Sequence, residues 1–190
     1  MRKPILYVMI GLPASGKSTF LETLKSVTVY SADAVRGEWF KDEGLQYTDD
    51  YIRNQGQDPD KLNNRQKERI ASPIVWEEVY RRTEQTLAEG KDCALDGVNA
   101  SKWVRKMICD RFGQTAKICG IWFRTDLNRC IERDASRRRS VGEAVLRRIA
   151  GIFEAPCMKE GFDALEERDE IGKLLRRQTN DSFRDGELPD

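Results

Sequence analysis

The eight residues Gly11-Leu12-Pro13-Ala14-Ser15-Gly16-Lys17-Ser18 constrain this chain more than any other segment. They satisfy the pattern G-x-x-x-x-G-K-[ST] without a departure. Residues 4–10 before them read as a buried strand, and a helix is expected from Lys17 to about Lys25. At average residue usage a chance match in a chain of this length has a probability below roughly 1%. Glycines let backbone N–H groups curl around phosphate oxygens where a Cβ would obstruct them. The helix beginning at Lys17 turns its positive dipole end toward the same anion. Lys17 would place a cation on the β- and γ-phosphates, and the Ser18 hydroxyl would serve as a ligand to Mg²⁺.

The rest of the chain alternates between the two regular periods. Residues 27–31, 94–96 and 117–123 read as strands. Helices are expected over Ala34 to about Lys41, Ser72 to Ala88 with a stop at Gly90, Ser101–Phe112, Asp126–Arg133, Gly142–Ile152 and 166–177. The polar segment from Asp42 to Asn64 reads as a connection or a set of small helices. Strands alternating with helices predict an α/β fold, a P-loop NTPase-type parallel sheet flanked by helices with an arginine-bearing lid. At 190 residues a single domain over 1–178 is expected, with 179–190 as a flexible C-terminal tail.

Composition removes several functional classes. The chain carries 33 basic and 32 acidic side chains and no His. A serine–histidine triad and a histidine zinc site are therefore impossible. The charge balance argues against a histone-like blanket of positive charge and still permits a local basic cleft. Cys93, Cys109, Cys119, Cys130 and Cys157 fall at no metal-ligand spacing and read as small core residues in a reducing compartment. The four tryptophans, Trp39, Trp76, Trp103 and Trp122, are expected mostly in the core, Trp39 alone standing close enough to Asp33 to stack on a nucleobase. The first apolar run is six residues long and ends in the glycine loop. No stretch approaches the ~20 apolar residues of a membrane span, so a cytoplasmic protein is expected.

Nucleotide binding alone does not distinguish a kinase from an ATPase or a GTPase. No Asn-Lys-x-Asp guanine motif occurs. Asp33 lies just past the second strand, and ligands of such sheets bind beyond the carboxyl ends of the strands. A carboxylate there can accept the proton of an acceptor hydroxyl; it can equally cap the following helix. Arg137, Arg138 and Arg139 stand together in a lid-like stretch, where guanidinium forks match phosphate oxygens. Arg147 and Arg148 read as a solvated helix face.

Four segments carry a family resemblance: Gly11 to Thr19, Ser31-Ala32-Asp33-x-x-Arg36, Asp96-Gly97-Val98-Asn99, and Arg133-x-x-x-Arg137. Together they resemble the kinase module of polynucleotide 5′-kinases, within a wider clan that includes seryl-tRNA kinases and zeta toxins. The stretch from Ile152 to Pro156, continuing through Glu160 to Asp163, fits the same clan. The resemblance covers about residues 4–165 and implies an ATP-dependent kinase acting on the 5′-OH end of DNA or RNA. It implies that Gly11, Pro13, Ala14, Ser15, Gly16, Lys17, Ser18 and Thr19 hold ATP, with Arg133 and Arg137 from the lid. Asp33 would be the general base and Arg36 would hold the acceptor's neighbouring phosphate. Arg137 would offset charge in the transition state beside Lys17. Asp96 would orient a Mg²⁺-bound water, with Ser18 as the direct ligand. Two departures are visible: Val98 stands where a Thr is common, and Ser31-Ala32-Asp33 replaces a doubled aspartate. A kinase for another hydroxyl, such as an aminoacyl-tRNA, a nucleotide sugar or a small metabolite, remains open, as does a nucleotide-gated binding protein without transfer.

Overall fold

The computed structural model describes residues 2–39, 44–181, 183 and 188. Its frame is a six-stranded sheet in the order β2-β3-β1-β4-β5-β6. Strand β1 (Ile5–Ile10) is buried along its whole length, as its unbroken apolar run requires of a central parallel strand. It pairs in parallel with β3 (Cys93–Asp96) on one side and with β4 (Lys117–Phe123) on the other. Strand β2 (Thr28–Ser31) forms one edge. The chain therefore moves outward from β1 to β2, returns to β3, and then crosses to the other side of β1. Such a reversal opens a crevice at the carboxyl ends of the central strands, where β1 runs into the glycine loop.

Beyond β4 the chain departs from the sequence expectation. Residues 166–177 are not a helix: they belong to β5 (Ala164–Arg168) and β6 (Leu174–Thr179) and the turn between them. Strand β5 is parallel to β4 and antiparallel to β6, so the sheet is mixed at this edge. The spacing of Ile171, Leu174 and Leu175 mimics a helical stripe, but Ile171 and Leu175 are exposed. Buried charge replaces apolar alternation here. Glu166 accepts from Arg168 Nη2 at 2.7 Å and from Arg177 Nη2 at 2.8 Å, with Glu166 and Arg168 almost fully buried. The turn has its own chemistry: Asp169 Oδ1 accepts from the N–H groups of Ile171 and Lys173, and Gly172 takes φ +91°. An Asp three residues before a Gly was the turn signal available in the sequence.

The chain divides into two compact units. The first, Met1–Val29 with Thr86–Asp190, holds the core around β1, β4 and β5. Helix α1 (Lys17–Leu21) is shorter than expected and brings Phe20 and Leu21 into that core. Helices α6 (Lys102–Phe112), α7 (Leu127–Ala135) and α8 (Glu143–Gly151) also belong to this unit. Ser101 and Asp126 cap α6 and α7 by accepting backbone N–H bonds. The second unit, Tyr30–Gln85, contains α2 (Ala32–Trp39), α3 (Gly44–Asn54), α4 (Asn64–Ile70) and most of α5 (Ser72–Ala88). Of the two readings of the polar segment 42–64, a connection or a set of small helices, the structure has the helices. The segment's first two positions, 42–43, the end of the expected helix at 40–41, and most of the expected tail lie outside the described residues. Four of the five cysteines are buried and Cys157 is half-buried, all as free thiols. Burial pushes Cys93 and Cys109 up to about 12, which suits core packing. The tryptophans differ from expectation: Trp103 is 73% exposed, and Trp39, Trp76 and Trp122 are half-buried.

Candidate active site

The glycine loop is held open by backbone strain and by bonds from neighbouring elements. Ala14 adopts φ 63° and Gly16 φ 110°, conformations that turn successive N–H groups to one side and form an anion-binding concavity. At Gly16 the Cβ of any other residue would stand 2.5 Å from the carbonyl oxygen of Glu170 in the β5–β6 turn. The Gly11 N–H donates to Val98 O at 3.1 Å, and Thr125 Oγ1 donates to Ser15 O at 2.9 Å. Asn99, at φ 45°, donates through Nδ2 to Met9 O at 2.7 Å. The loop after β3 is thereby fastened under the end of β1.

Lys17 lies at the centre of this arrangement and is buried. Its Nζ donates to Gly11 O at 2.9 Å and to Leu12 O at 2.7 Å. Burial pulls the ammonium down to about 8; Asp96 and Cys130 raise it and Arg137 lowers it. Lys17, Asp96 and Arg137 therefore share one electrostatic site, although 120 residues separate the first from the last. Ser18 and Thr19 are exposed on α1, with the Ser18 hydroxyl one residue beyond the lysine. These groups fit a nucleotide phosphate and a divalent cation: a concavity of N–H donors, a buried cation, and a hydroxyl and a carboxylate as oxygen donors.

The arginines divide by environment. Arg133 Nη1 donates to Glu170 O at 3.2 Å, which joins α7 to the β5–β6 turn. Arg137, Arg138 and Arg139 are exposed in the segment between α7 and α8. Arg147 pairs with Glu143 one helical turn away, both side chains 56% exposed, as a solvated face requires.

Sequence reasoning missed the residue that shapes the lid. Asp134 is buried; its carboxylate accepts from Ser140 Oγ at 2.6 Å, Gly142 N at 2.9 Å and Val141 N at 3.3 Å. Burial alone would raise its pKa, but the Ser140 hydroxyl and the two backbone N–H groups outweigh it and hold the carboxyl below its ordinary value. The signal was present as an acid inside an arginine-rich run. Also missed was Arg105, which donates to Asn99 O and Ala100 O at 2.9 Å and pairs with Glu160 at 2.6 Å, both side chains fully buried. This pair supports the backbone that follows Asp96.

Asp33 and Arg36 belong to the second unit. The helix cap there is Ser31, whose Oγ accepts from Ala34 N at 3.0 Å. The Asp33 carboxylate is thus released from capping, 87% exposed, and paired with Arg36 Nη1 at 2.9 Å. Arg36 Nη2 also donates to Ser72 Oγ at 3.3 Å.

A family model described as an AAA domain matches residues 6–156. The chain belongs to that family. Its six-stranded, mostly parallel sheet flanked by helices matches the fold of small P-loop kinases. A protein of Chloroflexus aurantiacus, solved as a candidate kinase, is 20% identical; the match covers 90% of this chain and 87% of that one, with a TM-score of 0.62. A chain from the PezAT chromosomal toxin–antitoxin system of Streptococcus pneumoniae is 11% identical, with coverage of 93% and 73% and a TM-score of 0.61. A gluconokinase of Sinorhizobium meliloti is 14% identical, with coverage of 89% and 84% and a TM-score of 0.50. At these identities the likeness of this AAA-domain chain to each of them is one of fold. A search of curated proteins finds no match. Among the described residues no helix is long and apolar enough to cross a membrane.

Proposed function

We propose that the protein is an ATP-dependent kinase that transfers the γ-phosphate to the 5′-hydroxyl end of a DNA or RNA strand in the cytoplasm. The observation that carries the donor half is Lys17, buried in a strained N–H-lined loop and electrostatically joined to Asp96 and Arg137. Gly11, Pro13, Ala14, Ser15, Gly16 and Thr19 would complete the ATP site, with Arg133 and Arg137 from the lid. Mg²⁺, when bound, offsets phosphate charge; the Ser18 hydroxyl would hold it, with the Asp96 carboxylate acting through water.

The acceptor half is supported by the Asp33–Arg36 pair. Asp33 accepts the proton of the acceptor hydroxyl as its oxygen forms the new bond to the γ-phosphorus. The bond from that phosphorus to the β–γ bridging oxygen breaks, and ADP leaves. Arg36 holds the phosphate next to the reacting hydroxyl, and Lys17 and Arg137 meet the charge that develops on the transferring group.

The test is incubation with γ-labelled ATP and a panel of acceptors: 5′-OH DNA, 5′-OH RNA, sugars and an aminoacyl-tRNA. Label is expected on the nucleic-acid 5′ ends. Asp33→Asn is expected to keep ATP affinity by calorimetry while turnover falls by about 10²-fold. Label appearing on a sugar or aminoacyl-tRNA alone would remove the nucleic-acid acceptor, and label on none would remove the kinase.

A further inference from the structure

We infer that Arg105 and Glu160 are positioning residues of the nucleotide site: their buried pair fixes the loop 97–100, and through it the place of the Asp96 carboxylate beside the phosphate loop. This rests on the donor site proposed above and not on the nature of the acceptor. All three guanidinium nitrogens of Arg105 are used, in two directions. Nε and Nη2 donate to Glu160 Oε2 at 2.6 Å and Oε1 at 2.9 Å. Nη1 donates to the carbonyls of Asn99 and Ala100. Such a fork grips a carboxylate with one edge and the backbone with another, which the point charge of a lysine does not reproduce. Net stability does not call for this pair, since apolar side chains of similar volume serve a buried site as well or better. Its distinctive product is the placement of two carbonyls.

Those carbonyls belong to the loop that joins β3 to α6. Asp96 ends β3, where the loop begins. Val98 O accepts from the Gly11 N–H, and Asn99 reaches Met9 O through Nδ2. Asn99 holds this posture at a positive φ, a conformation that persists only where the surroundings over-determine it. The Arg105 bond to its carbonyl is one such restraint. A line of bonds therefore runs from Glu160 through Arg105 to the loop, and from the loop to Met9 in β1 and Gly11 at the start of the phosphate loop.

Glu160 is itself braced. Its Oε1 accepts from Cys157 N at 3.1 Å. Gly161 follows at φ +109°, where a Cβ would stand 2.9 Å from Cys109 Cβ on α6. Upstream, Glu154 N donates to Ala100 O at 2.9 Å, and Glu154 Oε2 accepts from Lys102 N at 2.7 Å. Residues 154–161 thus form a strap that meets the loop and α6 at positions 100, 102, 105 and 109.

The experiment uses the full chain. Arg105→Met/Glu160→Leu replaces the pair by apolar side chains of comparable size, so that no lone charge is left buried. Binding of ADP is titrated by calorimetry over a range of Mg²⁺ and in EDTA, beside urea denaturation. The variant should unfold cooperatively, and the Mg²⁺ concentration for half-maximal ADP binding should rise about 10-fold, as when a group that orients a metal's ligand is lost. ADP affinity in EDTA should fall much less. Arg105→Lys, which keeps the charge opposite Glu160 without the fork, should shift the Mg²⁺ response in the same direction. Equal losses with and without Mg²⁺, an unchanged Mg²⁺ response in a folded variant, or failure of both variants to fold would make the pair structural and overturn the inference. Failure of the unsubstituted protein to bind ADP at any Mg²⁺ concentration would remove the donor site proposed above, and the positioning role with it. ADP binding by the unsubstituted protein, with neutral substitutions at Arg105 and Glu160, would leave that site standing and remove the positioning role alone.

Discussion

The Lys17 ammonium is bonded to the carbonyls of Gly11 and Leu12, and its burial sets the sign of a pH effect. The unfolded chain keeps this proton to about 10.5 and the folded protein to about 8. Between those values the unfolded chain binds more protons, so stability rises as pH rises through that window. A phosphate beside Nζ adds negative charge and raises the value again. Nucleotide binding at pH 8 should therefore take up about half a proton, measured by calorimetry in two buffers of different ionisation enthalpy. Lys17→Met should abolish the uptake, and an unchanged uptake in that variant would separate the proton from the lysine. At this scale the phosphate loop was fully legible, because eight consecutive residues carry both its shape and its chemistry. The role of Ser31 was not: Ser31 and Asp33 could each cap α2, and only the bond from Ala34 N to Ser31 Oγ decides between them.

Elements were legible where apolar periodicity was strong. Strand β4 and helix α5 have the expected bounds, α6 differs from expectation only in the capping residue at its start, and α7 starts one residue later and ends two residues later than expected. The β5–β6 hairpin was not legible, since Glu166 and Arg168 occupy buried positions that a residue-by-residue hydropathy reading assigns to solvent, with the half-buried Arg177 paired to Glu166. Ion pairing across the sheet reverses that assignment, and pairing is a long-range fact. The lid shows the same limit, because its arginines were visible and the Asp134 anchor was not. Asp134→Ala removes the acceptor of three bonds, one from a hydroxyl and two from backbone N–H groups. A loss of about 1.5–3 kcal/mol in urea denaturation is expected for the removed hydrogen bonds to a charged group, together with a raised KM for ATP. The depressed carboxyl value means this restraint is present at neutral pH and is lost as pH falls below the ordinary aspartate range. A KM and a stability both unchanged in Asp134→Ala would show that the lid is shaped elsewhere.

At the scale of the molecule, the α/β architecture followed from the alternation of strands and helices, while the mixed edge of the sheet did not. The family match ends at residue 156, before β5 begins at Ala164. Five residues of β4, Cys119 to Phe123, are in register with β5, and the β5–β6 turn reaches Gly16 through Glu170. A chain trimmed to the matched segment would thus bare the apolar edge of β4 and take one wall from the glycine loop. Such an edge invites pairing with another copy. Residues 2–156 alone should elute as oligomers or precipitate on size-exclusion chromatography, and a monomeric fragment with cooperative unfolding would overturn this. The boundary of a recognisable family and the boundary of a self-sufficient folding piece do not coincide in this protein: minimal versions of the chain have to be cut after β6, however little of that hairpin a family comparison sees.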